Sequence, residues 1–166
     1  MQIDVGFGDV VHPDVVVTEY PTLLDFPLPT LRSYPPETVI AEKVEAMLNL
    51  GELNSRMKDF FDVWRLSRLH NFDARILSEA IRATLENRKT DVVAYSELRH
   101  ELLASDDKQA QWTAFLKNSG VDGSDSFANL FDALGLFLSP MLDAIDNRET
   151  IEGTWPASGP WNLTSD

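Results

Sequence analysis

Lys43, Asp59 and Asp62 are the residues whose types and spacing could do chemistry in this chain. A lysine ammonium binds a phosphate as a point charge, and a carboxylate can orient that lysine or an attacking group. On a helical wheel Lys43 borders an apolar stripe, so its side chain either extends past the core to water or points into a cleft. Asp59 lies at the edge of an apolar face and is the acid expected to point inward. A purely structural role for both is the open alternative.

Asp62 is expected farther toward solvent, near Lys58 and Arg65. An exposed pair of opposite charges three residues apart is the ordinary explanation of that pattern. Asp4 differs, because it lies on a predicted strand between two apolar residues and projects from the opposite face of the sheet. It marks either a site or the solvated face of an antiparallel sheet.

The charge distribution indicates where a phosphate would bind. The chain has 14 basic and 27 acidic side chains, and the net charge of -13 argues against a protein that coats nucleic acid non-specifically. Residues 40–89 nevertheless hold nine of the basic side chains against eight acids. We expect positive potential around Lys43, Arg56 and Lys58. The alternative is that these charges form solvated helix faces.

Other kinds of site find little support in the sequence. Gly6-Phe7-Gly8 is too short for a phosphate-binding loop and no helix start follows it. His12, His70 and His100 lack metal-ligand spacing, and a chain without cysteine can form no disulfide and no ordinary structural zinc site. No arrangement of serine, histidine and aspartate suggests a nucleophilic triad.

Strands are predicted only at the N-terminus. Gln2 to Phe7 and Val15 to Thr18 are rich in β-branched and aromatic residues, and Leu28 to Tyr34 is a possible third strand or an extended loop. Three short strands make a marginal sheet unless other elements cover them. From Glu37 onward the pattern predicts helix and loop, because Pro35 and Pro36 suit the first turn of a helix.

Five helices are predicted from apolar periodicity and end signals. The first carries Lys43, with its apolar face opposite to Glu42 and Glu45. The second begins at a cap, Asn54 or Ser55. Their predicted ranges are 37–50, 54–69, 73–87, 108–117 and 125–138. The tail after Arg148 contains Trp155 and Trp161, which predict that it packs on the body of the protein.

Composition places the chain among globular proteins with one core. No uninterrupted apolar run approaches the roughly 18 residues of a membrane-spanning helix, and no secretory signal is evident at the N-terminus. We therefore expect no membrane partner and a cytoplasmic location.

Three segments read together resemble the AbiEii/AbiGii family of nucleotidyltransferase-type toxins. They are residues 2–8 with the strand acid Asp4, residues 34–46 with an Ala-Glu-Lys core, and residues 54–64 with a basic residue before Asp-x-x-Asp. The second and third, with their spacing, are the specific part. Residues 88–90, 111–115 and 137–140 also look like the family, so the likeness covers nearly the whole chain.

The resemblance implies an α+β protein, with a small remnant of a nucleotidyltransferase-fold sheet followed by a mainly helical C-terminal bundle. Its expected parts are residues 1–36, 37–147 and 148–166. It implies that Lys43, Asp59 and Asp62 contribute to catalysis and nucleotide binding, with Arg56 and Lys58 at the nucleotide. Asp4 would be the third metal-binding acid of the family's site.

The family's Gly-Ser turn and Asp-x-Asp pair have no counterpart upstream of Asp4. Nucleotidyl transfer needs two divalent ions about 4 Å apart, held by carboxylates, and Mg²⁺ is the expected cofactor. Asp4 alone, as a single strand carboxylate, is insufficient to hold two metal ions. We therefore expect a partial enzyme, inactive alone and active when extended by the missing strands.

The implied activity of the complete protein is transfer of NMP from an NTP to an acceptor, in this family RNA such as a tRNA end, with neutralisation by a cognate antitoxin. The alternative is a non-catalytic helical module that binds an antitoxin or nucleic acid. A plain helical interaction domain is the third possibility.

Overall fold

A computed structural model describes residues 8–23, 25–105, 107–123 and 126–164, and these form an α+β structure in which helices dominate. The expected fold class is therefore confirmed. The helices of the described residues are α1 (Pro36–Leu50), α2 (Met57–Leu69), α3 (Ala74–Arg88), α4 (Tyr95–Leu103), α5 (Asp107–Ser119) and α6 (Phe127–Asp146). The strands are β1 (Val16–Glu19), β2 (Thr30–Ser33), β3 (Phe72–Asp73), β4 (Gly153–Trp155) and β5 (Asn162–Leu163).

β1 and β2 form an antiparallel pair in the register Val16 to Ser33 and Glu19 to Thr30. Both strands are almost wholly exposed. They correspond to two of the three predicted strands, whereas the strand predicted at residues 2–7 lies outside the described residues. The loop between them exposes apolar side chains, among which Leu23 is fully exposed and Phe26 is 67% exposed.

α1 begins at Pro36 and ends before Gly51, close to the predicted bounds. Gly51 has φ 49°, a left-handed conformation that glycine adopts at low cost, and a short 3₁₀ turn follows over Gly51–Leu53. α2 starts at Met57, later than predicted, because the Asn54 side chain accepts a hydrogen bond from the Arg56 backbone N–H and forms a turn before the helix.

α6 lies at the centre of the hydrophobic core and packs against α2, α3, α4 and α5. The prediction that this helix ends at Leu138 is wrong, since it continues through Pro140 to Asp146. The carbonyl that Pro140 cannot bond belongs to Leu136, whose side chain is exposed, so water can replace the missing donor. Met141 follows the proline on the buried face and favours continuation.

α4 was not predicted from the sequence. It has only nine residues, and its buried positions Tyr95, Leu98 and Leu102 are separated by polar side chains. Its formation depends on packing, because the Tyr95 ring stacks on Phe131 with centroids 4.9 Å apart and its hydroxyl donates to the Phe131 carbonyl. Tertiary contacts of this kind override weak local propensity.

The C-terminal tail packs on the core, as the two tryptophans predicted. β4 pairs with both β3 and β5 in a three-stranded antiparallel sheet. Trp155 is buried, contacts Phe137 and donates from its indole N–H to the Ser67 carbonyl at 2.7 Å. Trp161 stacks on Phe137 with centroids 5.7 Å apart.

By length and composition, α6 is long and apolar enough to cross a membrane. Its buried positions, spaced at helical intervals from Phe127 to Ile145, pack against the neighbouring helices. A core helix meets the same criteria as a membrane span.

Candidate functional site

Lys43, Asp59 and Asp62 meet where α1 packs against α2. The Lys43 ammonium donates to Asp59 Oδ1 at 2.6 Å and lies 2.9 Å from Asp62 Oδ2. All three side chains are mostly buried, with 16 to 22% of their surface exposed. The Lys43 and Asp59 side chains thus meet directly, and we refer to the three residues as the lysine–aspartate trio.

Asp62 is less exposed than the sequence indicated. It accepts hydrogen bonds from Lys43 and, at 2.5 Å, from Lys58 one helical turn earlier. The expected pair with a cation three residues away is thus replaced by an i, i+4 pair and by a contact between helices. Asp62 lies on the side of α2 that faces α1, and the wheel of α2 alone could not show this partner.

The two aspartates keep the Lys43 ammonium charged despite burial. Desolvation lowers the pKa of Lys43, but the hydrogen bonds and charges of Asp59 and Asp62 outweigh it, and the pKa ends above its ordinary value. Burial raises the pKa of Asp62, but the hydrogen bonds from Lys58 and Lys43 lower it by more. The pKa of Asp62 therefore ends below its ordinary value. Lys43 and Asp62 are therefore both ionised over the physiological pH range.

A cavity of about 650 Å³ opens beside the trio at the start of α2. Asp59 belongs to both the trio and the cavity wall. Arg56 and Lys58 line the cavity and expose their side chains. Within the described residues Arg56 takes part in no ion pair. Lys43, Arg56 and Lys58 outnumber the two aspartates of the trio by one, so this region carries one net positive charge. The charge of the whole chain is -13.

The opposite side of α1 holds a second polar cluster that sequence reasoning missed. Glu42 and Glu45 were placed opposite to the apolar face of the helix, yet Glu45 is 8% exposed and accepts a hydrogen bond from Thr90 at 2.6 Å. Glu42 is bound by Arg88, which also bridges to Asp9 at 2.8 Å. Burial raises the pKa of Glu42 although Arg88 opposes the shift. The signal was the spacing of three between the glutamates, which places both toward α3.

Another cavity, of about 660 Å³, lies at the ends of α3 and α6. Arg82, Lys89 and Arg148 line it together with Glu86 and Asp91. No residue of the trio lines this cavity. Its three cations make it a second place where an anion could bind.

The described residues do not fit a divalent metal site. No group of three or more histidine, aspartate or glutamate side chains among them is placed to hold a metal ion. Both aspartates of the trio are engaged by lysines. Asp4, the predicted metal ligand, lies outside the described residues. Of the histidines, His12 contacts Glu79 at 3.2 Å, and His70 and His100 are exposed.

The structure is thus a mainly helical α+β fold in which a mostly buried lysine, held by two aspartates, lies beside a cavity lined by Arg56, Lys58 and Asp59. The chain belongs to the AbiEii family of nucleotidyl transferase toxins of type IV toxin–antitoxin systems, whose family model matches residues 1–134. No curated protein and no solved structure matches the chain. The resemblance noted from the sequence is thereby confirmed.

Proposed function

We propose that the lysine–aspartate trio binds the triphosphate of an NTP, with Arg56 and Lys58 at the rim of the same cavity. The observation that carries this proposal is the position of the Lys43 ammonium, within 2.9 Å of two carboxylates and next to the cavity wall through Asp59. A charged lysine held in one orientation in a partly desolvated site binds a phosphate more strongly than a freely moving surface lysine.

Each residue of the trio has a distinct task in this proposal. Lys43 supplies the charge that contacts the phosphates, exchanging one carboxylate partner for a phosphate oxygen. Asp59 orients Lys43 from the cavity side and is the group within reach of an acceptor hydroxyl. Asp62 keeps Lys43 charged and fixes Lys58. Arg56 adds a planar donor suited to bidentate phosphate contact.

The reaction we propose is transfer of NMP from the NTP to RNA such as a tRNA end, with release of pyrophosphate and with inhibition by a cognate antitoxin. Membership in a nucleotidyl transferase toxin family supports it. The Mg²⁺ expected for such chemistry would need carboxylates from outside the described residues. The trio, with Arg56 and Lys58 at the cavity rim, therefore accounts for binding and orientation of the nucleotide and does not account for metal binding.

A non-catalytic module that binds an antitoxin or nucleic acid is the second candidate. The observation in its favour is that the two aspartates already neutralise Lys43. If this ion pair serves only to hold α1 against α2, removal of Lys43 changes stability and leaves nucleotide affinity unchanged.

Equilibrium dialysis of labelled NTPs against wild-type protein and Lys43→Ala separates the two candidates. We expect Lys43→Ala to weaken binding about 10- to 100-fold, the range of a lost hydrogen bond to a charged group. Lys117→Ala, an exposed lysine on α5, is the matched control and should bind like wild type. Equal affinity of Lys43→Ala and wild type would contradict the nucleotide-binding proposal.

A further inference from the structure

One face of α5 forms the wall of the cavity opposite to α2. Gln111, Ala114, Phe115 and Asn118 line it, and their spacing of three to four residues places them on one side of the helix. The α2 side of the cavity carries charge, whereas the α5 side carries an aromatic ring, a small residue and two amides. This asymmetry matches a nucleotide, which has a charged phosphate end and a flat base with polar edges.

Phe115 is held rigidly behind the cavity. Its ring stacks on Trp112 with centroids 5.3 Å apart and contacts Phe61 at 5.7 Å, and its side chain is half-buried. An aromatic ring fixed in this way loses little conformational entropy when a base stacks on it. Ala114, one position earlier, leaves room beside the ring.

Gln111, at the cavity wall, has an unsatisfied hydrogen-bond acceptor. Its Oε1 is buried and has no hydrogen-bond partner. A buried acceptor without a donor costs free energy. Rotation of the amide toward the cavity would let a ligand N–H supply the missing donor, and a base edge offers such a group.

We propose that this α5 wall binds the base of a nucleotide whose phosphates lie at Lys43, Arg56 and Lys58. The inference rests on the proposed function, because the phosphate end of the same cavity is the trio and its rim. The cavity of about 650 Å³ has the size of a small-molecule site. Phe115 stacks on the base, Gln111 accepts an N–H from its edge, and Asn118 adds a second amide.

The test measures the affinities of the 166-residue protein for ATP, CTP, GTP, UTP and inorganic triphosphate by calorimetry. Gln111→Leu is the main variant because it removes an unpartnered acceptor and should leave folding intact. Phe115→Leu is the second, with thermal unfolding as a check on its packing. Each should weaken binding of at least one NTP about 5- to 100-fold and leave triphosphate affinity unchanged. Thr113→Val, exposed on the opposite side of α5, should match wild type for every ligand.

The outcomes distinguish this inference from the proposal on which it rests. If triphosphate binds through Lys43 but neither α5 variant changes the affinity for any NTP, the base-binding wall is wrong and the phosphate site stands. If Gln111→Leu and Phe115→Leu weaken triphosphate as much as NTP, the variants act through structure and the inference is overturned. If neither triphosphate nor NTP binds, both proposals are wrong.

Discussion

At the scale of single residues, Lys43 has both a structural role and a proposed chemical role. Its ammonium joins two helices through Asp59 and Asp62, and the same ammonium is the proposed phosphate ligand. A partly buried lysine without these acids would have a lowered pKa, because desolvation opposes its charge. The two aspartates therefore stabilise the charged form that phosphate binding requires, and they also compete with the phosphate for it.

Asp62→Asn should destabilise the protein in a pH-dependent way. Because the folded-state pKa of Asp62 lies below its ordinary value of 3.8, its contribution is present above about pH 4 and is lost as pH falls through the folded-state pKa. Urea unfolding should therefore show the largest difference between wild type and Asp62→Asn near neutral pH. That difference should shrink as the pH falls below 3.8.

The control for this titration is Asp122→Asn, since Asp122 is exposed and outside the ion pairs of the described residues. Its effect should be small at every pH. A destabilisation by Asp62→Asn that stays constant from about pH 7 to well below the ordinary pKa of an aspartate would contradict the assigned ion pairs.

At the scale of elements, apolar periodicity predicted five of the six helices of the described residues and the packing of the tail. The trio was partly predictable from the sequence, since helical wheels of α1 and α2 placed Lys43 and Asp59 at the edges of the apolar faces. The contact of Asp62 with Lys43 depends on how α1 crosses α2, which no single-helix pattern contains. α4 and the second half of α6 were missed because tertiary packing overrides weak propensity and a proline.

Replacement of Trp155 tests how far the tail contributes to the fold. Trp155→Ala removes a buried ring and should lower the free energy of unfolding by about 3–5 kcal/mol, measured by urea denaturation. Trp155→Phe keeps much of the ring and loses the hydrogen bond to Ser67, whose carbonyl still accepts from the Ser158 N–H. It should cost less, about 1–2 kcal/mol. Equal losses for the two variants would show that the hydrogen bond, not packing, dominates.

At the scale of the whole molecule, charge is sorted between the two sides of α1. On one side Lys43 pairs with Asp59 and Asp62 beside the cavity, and on the other Glu42 and Glu45 bond to the end of α3 and the residues just after it. Cations therefore remain exposed at the cavity although acids outnumber bases across the chain. Under the proposed function, the exposed cations would attract an anionic ligand toward this cavity of an acidic protein.

The 166-residue chain should bind NTPs without transferring them. The described residues hold no group of acids suited to a metal ion, and stabilisation of the transferring phosphoryl group is the main source of rate in this chemistry. Incubation with labelled NTPs, Mg²⁺ and total RNA, followed by gel analysis, should show no labelled RNA. Robust labelling of RNA by this chain would contradict this prediction.

The most direct test of the phosphate site is an NMR titration of ¹⁵N-labelled protein with inorganic triphosphate. We predict that the amide resonances of Lys43 and of residues 56–62 shift together, and that Lys43→Ala abolishes these shifts while Lys117→Ala preserves them. Shifts confined to the cavity of Arg82, Lys89 and Arg148, or shifts near the trio that persist in Lys43→Ala, would contradict the proposal that the lysine–aspartate trio binds phosphate.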